Sequence, residues 1–170
     1  MASYAAFLRA VNVGGTGKLP MADLRRICEE LDFDRVRTYI ASGNVVFDAK
    51  PSEEEVRGLL EARLKDFASK AIGVHVRTRV ELQGLLASHP FPDVPGNRHH
   101  IVLLDATPSE IMIASAKFKT SERLHAGTRA LHIHYPDGQG LSRLKVPGTE
   151  QGTGRNRNTI EKIIELLGEG

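Results

Sequence analysis

The segment Val36-Arg37-Thr38-Tyr39-Ile40-Ala41-Ser42-Gly43-Asn44-Val45-Val46-Phe47-Asp48 decides how the rest of the chain is read. Two runs rich in β-branched and aromatic residues flank Ser42-Gly43-Asn44, a triplet suited to a tight connection. It predicts a hairpin with strands over Val36 to Ala41 and Val45 to Asp48. Upstream, Tyr4 to Asn12 is apolar and bounded by glycines, as in a buried strand, and Val13 to Leu19 is a glycine-rich turn. Pro20 then suits the first turn of a helix in which Leu24, Ile27, Cys28 and Leu31 form one stripe. Downstream, Ser52 and Glu55 make a capping box, and the helix it opens carries Val56, Leu59, Leu60, Leu64 and Phe67. Val74 to Arg79 alternates as a fourth strand. The order βαββαβ is the ferredoxin-like unit.

Beyond it, Val80 to Ser88 reads as a short helix and His89 to Gly96 as a proline-rich connector. The expected organisation is therefore a ferredoxin-like half over residues 1–88 and a related, less regular half over 89–170, with one compact unit as the alternative. In the second half His99 to Asp105 is a strand. Thr107-Pro108-Ser109-Glu110 supplies an N-cap, an N1 proline and a capping box for the next helix. Glu122 to His125 and Leu131 to Tyr135 pair through Gly127, and Pro136 to Gly154 is loop-rich. Asn158, with Glu161 three residues on, caps a last helix striped by Ile160, Ile163, Ile164 and Leu167. A fourth strand is not legible in this half. The fold class is α+β, with duplicated ferredoxin-like halves, antiparallel sheets and a C-terminal helix.

Composition bounds the functional classes. The 170 residues are 41 % apolar and 26 % charged with a formal charge of +2, which suits a folded globular protein and gives no general polyanion-binding field. Cys28 is the one cysteine, so no internal disulfide forms and a reducing compartment is expected. Met1-Ala2-Ser3-Tyr4 runs straight into a strand without a signal-peptide pattern, and no apolar run nears the roughly 20 residues that span a bilayer. The expectation is a cytoplasmic protein with no membrane partner.

Leu8-Arg9-Ala10-Val11-Asn12-Val13-Gly14-Gly15, Lys18-Leu19-Pro20-Met21 and Thr38-Tyr39-Ile40-Ala41-Ser42-Gly43-Asn44-Val45-Val46-Phe47 resemble the motifs of the domain of unknown function 1697 family. Arg155-Asn156-Arg157-Asn158-Thr159 resembles its closing motif, so the likeness reaches both ends of the chain. The resemblance implies a duplicated ferredoxin-like fold and no established activity. The family pattern has glycine where Ala10 stands, glutamine at Ala41 and tryptophan at Arg157.

Several constellations are candidate sites. Gly14-Gly15-Thr16-Gly17-Lys18 lies between a strand and a helix, where backbone N–H groups favour an anion. It is not a nucleotide-triphosphate loop. Asn12 replaces the first glycine of that pattern and Leu19 the magnesium-binding hydroxyl. Weak anion binding by Asn12, Gly14, Gly15 and Lys18 remains, beside the plainer reading of a tight turn.

Period-two alternation puts Phe7 with Arg9, Arg37 with Tyr39, and His75 with Arg77 and Arg79 on one sheet face. If that face is free, Phe7 and Tyr39 could stack bases while Arg9, Arg37 and Arg77 meet phosphates of single-stranded nucleic acid. If it is packed, the arginines pair with carboxylates instead. His132 and His134 share a strand face, with His99-His100 opening a neighbouring strand, a spacing that can bind zinc; no HExxH or cysteine cluster supplies the three ligands of a catalytic site, so solvent-facing histidines and no metal are expected.

Arg155 and Asn156 open the last helix, where a phosphate or carboxylate could sit, with Arg143 and Lys145 nearby in sequence. Cys28 lies on an apolar stripe and Ser42 lacks a nucleophile elbow, so enzyme chemistry has little support and no cofactor is implied. The first expectation is a non-catalytic protein that binds a phosphate-bearing ligand, nucleic acid or a small anion. The alternatives are an enzyme acting on a small anion between Gly14–Lys18 and Arg155–Thr159, and a protein-interaction module. Partner proteins and oligomeric state are not encoded legibly.

Overall fold

The computed structural model describes residues 1–10, 18–40 and 43–168. Contacts group residues 1–81 with 163–170, and separately 82–162. In the first unit, β1 (Ala2–Leu8), α1 (Met21–Glu30), β2 (Asp34–Tyr39), β3 (Asn44–Ala49), α2 (Glu53–Ala68) and β4 (Val74–Arg77) follow one another, and then α3 (Arg79–Ala87) begins. The antiparallel sheet runs β2-β3-β1-β4, the ferredoxin-like order. One face carries Tyr4, Ala6, Leu8, Val45, Phe47, Val74 and Val76, packed with Leu24, Ile27 and Cys28 of α1 and Val56, Leu60 and Leu64 of α2. Leu59 and Phe67 do not join that core. Each is 40 % exposed, because the covered arc of α2 is narrower than its apolar pattern.

The Ser52 capping box closes as expected: its Oγ accepts from the Glu55 N–H at 3.3 Å, and the Glu55 carboxylate accepts from the Ser52 N–H at 3.4 Å. Burial pushes the Cys28 thiol up to about 12, aided by Glu29, so it is a core side chain and no nucleophile.

The second unit repeats the order with β5 (His99–Leu103), α4 (Glu110–Ala114), β6 (Arg123–Gly127), β7 (Ala130–His134) and β8 (Thr153–Asn156), followed by α5 (Arg157–Gly168). Its sheet runs β6-β7-β5-β8, the same arrangement. The missing fourth strand is thus β8, a polar Thr-Gly-Arg-Asn run with no apolar alternation to announce it. Between β7 and β8 a loop stands where the first unit has α2, and its Leu144 and Val146 pack on Leu131, Ile133 and Tyr135. Two helix starts differ from expectation. Ser109 caps α4 by accepting from the Met112 N–H at 3.1 Å, while the Thr107 hydroxyl accepts from the Arg129 N–H at 2.9 Å. Asn156, not Asn158, caps α5, accepting from the Thr159 N–H at 2.9 Å, because it stands at the strand–helix junction.

Ala10 has φ +54°, a left-handed conformation that disfavours a Cβ. That is the position where the family pattern has glycine. Ala10→Gly should therefore raise unfolding stability by about 0.5–1 kcal/mol, relief of strain outweighing the added freedom of the unfolded chain. Urea unfolding of the two proteins measures it, and a less stable variant would show that Ala10 is unstrained.

Candidate anion site beside strand β6

Of the residues proposed on the first sheet, the alternation holds but the exposure does not. Arg37 faces Val46, Val46 faces Ala5 and Ala5 faces Arg77, so Arg37 and Arg77 share a face; the next row joins Tyr39, Asn44, Phe7 and His75. Phe7 is 0 % exposed, while His75 and Arg77 are each 1 % exposed. The expectation of a free face is corrected here. The apolar run Tyr4 to Leu8 leaves Ala5 and Phe7 on that side, as in strands covered on both faces. Arg77 donates to the Val76 carbonyl at 2.9 Å. Arg37 and Tyr39, on edge strand β2, are half-buried. Arg9 lies past the end of β1, half-buried, its N–H bonded to the Gly73 carbonyl at 2.9 Å. Arg79 is in α3 and donates to the Ile164 carbonyl at 3.3 Å. Lys18 is exposed. Asn12, Gly14, Gly15, Ala41 and Ser42 lie outside the described residues.

Arg155 is on β8 and 8 % exposed, donating to Thr153 Oγ1 at 2.7 Å and the Gly154 carbonyl at 2.9 Å. Burial pulls its guanidinium down to about 10. Asn156 is taken up by the helix cap. Neither stands open as an anion contact.

The histidines are the larger correction. His99 and His132 are 0 % exposed, placed by β5 and β7, the two central strands. Arg157, the first residue of α5, donates through Nη1 to His99 Nδ1 at 3.1 Å. A guanidinium has only donors, so His99 carries its proton on Nε2 and donates it to His132 Nδ1, 2.8 Å away. The His132 proton is then left on Nε2, which is buried with no hydrogen-bond partner among the described residues. A Cβ at residue 127 would lie 2.8 Å from that nitrogen, which is why Gly127 is a glycine.

Burial, then His132 and the other neighbouring cations and rings, push His99 down to about 3. Burial, then His89 and His125, push His132 down to about 4. Among the described residues no group of three His, Cys, Asp or Glu side chains converges to hold a metal ion.

The same arginine holds the connector. Arg157 donates to the Phe91 carbonyl at 3.3 Å and the Val94 carbonyl at 2.5 Å, and pairs with Glu161 at 3.3 Å. Phe91 is thereby fixed edge-on to His99, with ring centroids 5.3 Å apart. Arg123 of β6 lies over the Phe91 ring at 4.8 Å and donates to His134 Nδ1 from Nε at 3.0 Å and Nη2 at 2.9 Å. Beside them opens a groove of about 570 Å³. On one side Arg123 and His125 share a face of β6, with Phe91 under the guanidinium; on the other, Leu124 packs with Ile113 and Ala116, and Lys119 adds a second cation. No carboxylate lines it, and among the described residues neither Lys119 nor Arg123 makes an ion pair. The volume falls in the range of small-ligand sites.

A smaller cleft of about 230 Å³ has Glu122 on its wall. That carboxylate accepts from the Ser142 hydroxyl at 2.5 Å and the Thr120 N–H at 2.7 Å, which draw it down to about 2. It is a loop anchor. Sequence reasoning missed Phe91, Lys119 and Arg123 because the connector and β6 are far apart in the chain. The only local signal was an arginine and a histidine alternating on one strand.

The model of a family described as protein of unknown function (DUF1697) matches residues 1–132. The chain belongs to the DUF1697 family. The match ends before Arg155–Thr159. No curated protein matches this DUF1697 chain. Among solved structures, the conserved bacterial protein SP0830 from Streptococcus pneumoniae is similar with a TM-score of 0.77 and 23 % identity, over 97 % of this chain and 98 % of that one. At that identity the likeness speaks to the fold. No described helix of the DUF1697 chain is long and apolar enough to cross a membrane.

The buried imidazoles make stability depend on pH. The fold keeps His99 and His132 neutral, whereas in the unfolded chain they titrate near 6.5, so the unfolded state takes up protons that the fold refuses. Their contribution is complete above pH 6.5 and falls as pH drops toward 4. Between pH 7 and pH 5 each imidazole should cost about 2 kcal/mol of stability. Urea unfolding across that range should show the loss, and a flatter one in His132→Gln; equal slopes would show that the fold does not hold His132 neutral.

Proposed function

We propose that this protein is a non-catalytic binding protein for an anionic ligand, seated in the groove beside β6. One observation supports the reading above the others. Arg123 is clamped between Phe91 and His134, and Lys119 stands on the same groove; among the described residues the remaining N–H donors of Arg123 are unclaimed and no carboxylate opposes either cation. A pre-oriented guanidinium loses little freedom on meeting a phosphate or carboxylate. The apolar wall of Ile113, Ala116 and Leu124 suits a ligand with an apolar body as well as a charge. The described groove lining holds no serine, threonine or cysteine, and Cys28 is buried in the other unit. The lone buried thiol also agrees with a cytoplasmic, reducing environment.

Titrating the isotope-labelled protein with inorganic phosphate, with adenosine monophosphate and with a single-stranded oligothymidylate tests the site by amide chemical shifts. Saturable shifts should centre on Lys119, Arg123 and Leu124, weaken as sodium chloride is raised, and disappear in Arg123→Gln. Shifts centred on Arg9, Lys18 and Arg37 would return the site to the first unit. Silence toward all three probes would remove small phosphate ligands from the reading.

A further inference from the structure

The groove is built along an open sheet edge, and that geometry is more particular than anion binding requires. Strand β6 is the outer strand of its sheet and, among the described residues, pairs only with β7. Gly127 faces Ala130 across a two-residue connection, so these two exchange backbone hydrogen bonds, and His125 with His132 and Arg123 with His134 do the same. The N–H and C=O groups of Leu124 and Ala126 consequently point out of the sheet, into the side where the groove lies. The register from Arg123 to Gly127 has no bulge. The other hairpin's outer strand, β2, is protected in the usual way: its register shifts between Asp34 and Arg37, and Arg35 at the bulge pairs with Asp48 at 2.7 Å.

We infer that the ligand of this groove is an extended acidic peptide that adds a strand to β6. The inference rests on the anion-binding reading above and names its ligand. Successive side chains of an added strand point to opposite faces. One set would lie along Phe91, Arg123 and His125, the other along Ile113, Ala116 and Leu124. The first wall is cationic and the second apolar, so the matching segment alternates Glu or Asp with Val, Ile or Leu. A second copy of this chain is disfavoured as occupant, because its own β6 would bring Arg123 and Lys119 into a groove that already holds both.

Register sharpens the test. Residues directly opposite Leu124 and Ala126 share their face, so the peptide's apolar residues exchange the backbone bonds while the N–H groups of its acidic residues point away. The probe is a fluorescein-labelled Gly-Glu-Val-Glu-Val-Glu-Gly peptide added to the whole protein, read by anisotropy at low salt. Methylating the valine amide nitrogens should weaken binding by at least about tenfold, and methylating the glutamate amides should leave it within about threefold. Arg123→Gln, confirmed as folded by circular dichroism, should also weaken it by about tenfold or more. A second peptide with lysine for glutamate should not bind. Binding that needs Arg123 but tolerates valine N-methylation would overturn strand addition and leave the anion reading intact. No saturable binding would also overturn strand addition, and the phosphate titration then judges the anion reading by itself.

Discussion

A guanidinium cannot lend a proton vacancy to its neighbours; it can only donate. Arg157 applies that constraint at the first turn of α5. Its donors hold the carbonyls of Phe91 and Val94 and the Nδ1 of His99, so a connector with little regular structure acquires a fixed course. Through His99 the constraint passes to His132 as a choice of tautomer. Through Phe91 it passes to Arg123, whose guanidinium rests on the ring. The groove wall is therefore set by a residue that does not line it.

That chain of contacts also bears on residue 157, where the resemblance noted in the sequence implies tryptophan. Tryptophan offers one N–H donor where arginine offers five, so a protein with tryptophan there cannot hold two carbonyls and an imidazole in the same way. Where this chain has Arg157, the buried His99–His132 pair gains a defined proton arrangement. The cost is an Nε2–H on His132 with no partner among the described residues, close beneath Gly127. Such a group is expensive when buried, and it persists only because the sheet around it is well determined.

Polar residues in the interior explain much of what the pattern of residues concealed. Arg77, His75, Arg155, His99 and His132 are all buried on sheet faces, and every one of them reads in sequence as an outward residue. Periodicity assigns a side chain to one face of a strand or the other; it carries no information on whether that face meets water. The apolar members of the same rows, Ala5, Phe7 and Val46, were the better guide, since a face that alternates apolar with charged is still costly to leave open. The strand β8 was hidden for a related reason. A four-residue strand of Thr, Gly, Arg and Asn is held by its pairing with β5, and no propensity of its own announces it.

The order of elements in the first unit, the Ser52 capping box, the β6–β7 hairpin and the core role of Cys28 were determined locally and could be read directly. Each rests on interactions between residues within one turn, one hairpin or one helical stripe. Tertiary structure alone decided which sheet face is covered, which residue caps α5, and that Phe91, Arg123 and Lys119 meet beside an unpaired strand edge. Those outcomes depend on contacts between segments tens of residues apart, where the energy lies in burial, charge pairing and backbone register. Sequence spacing holds no record of them.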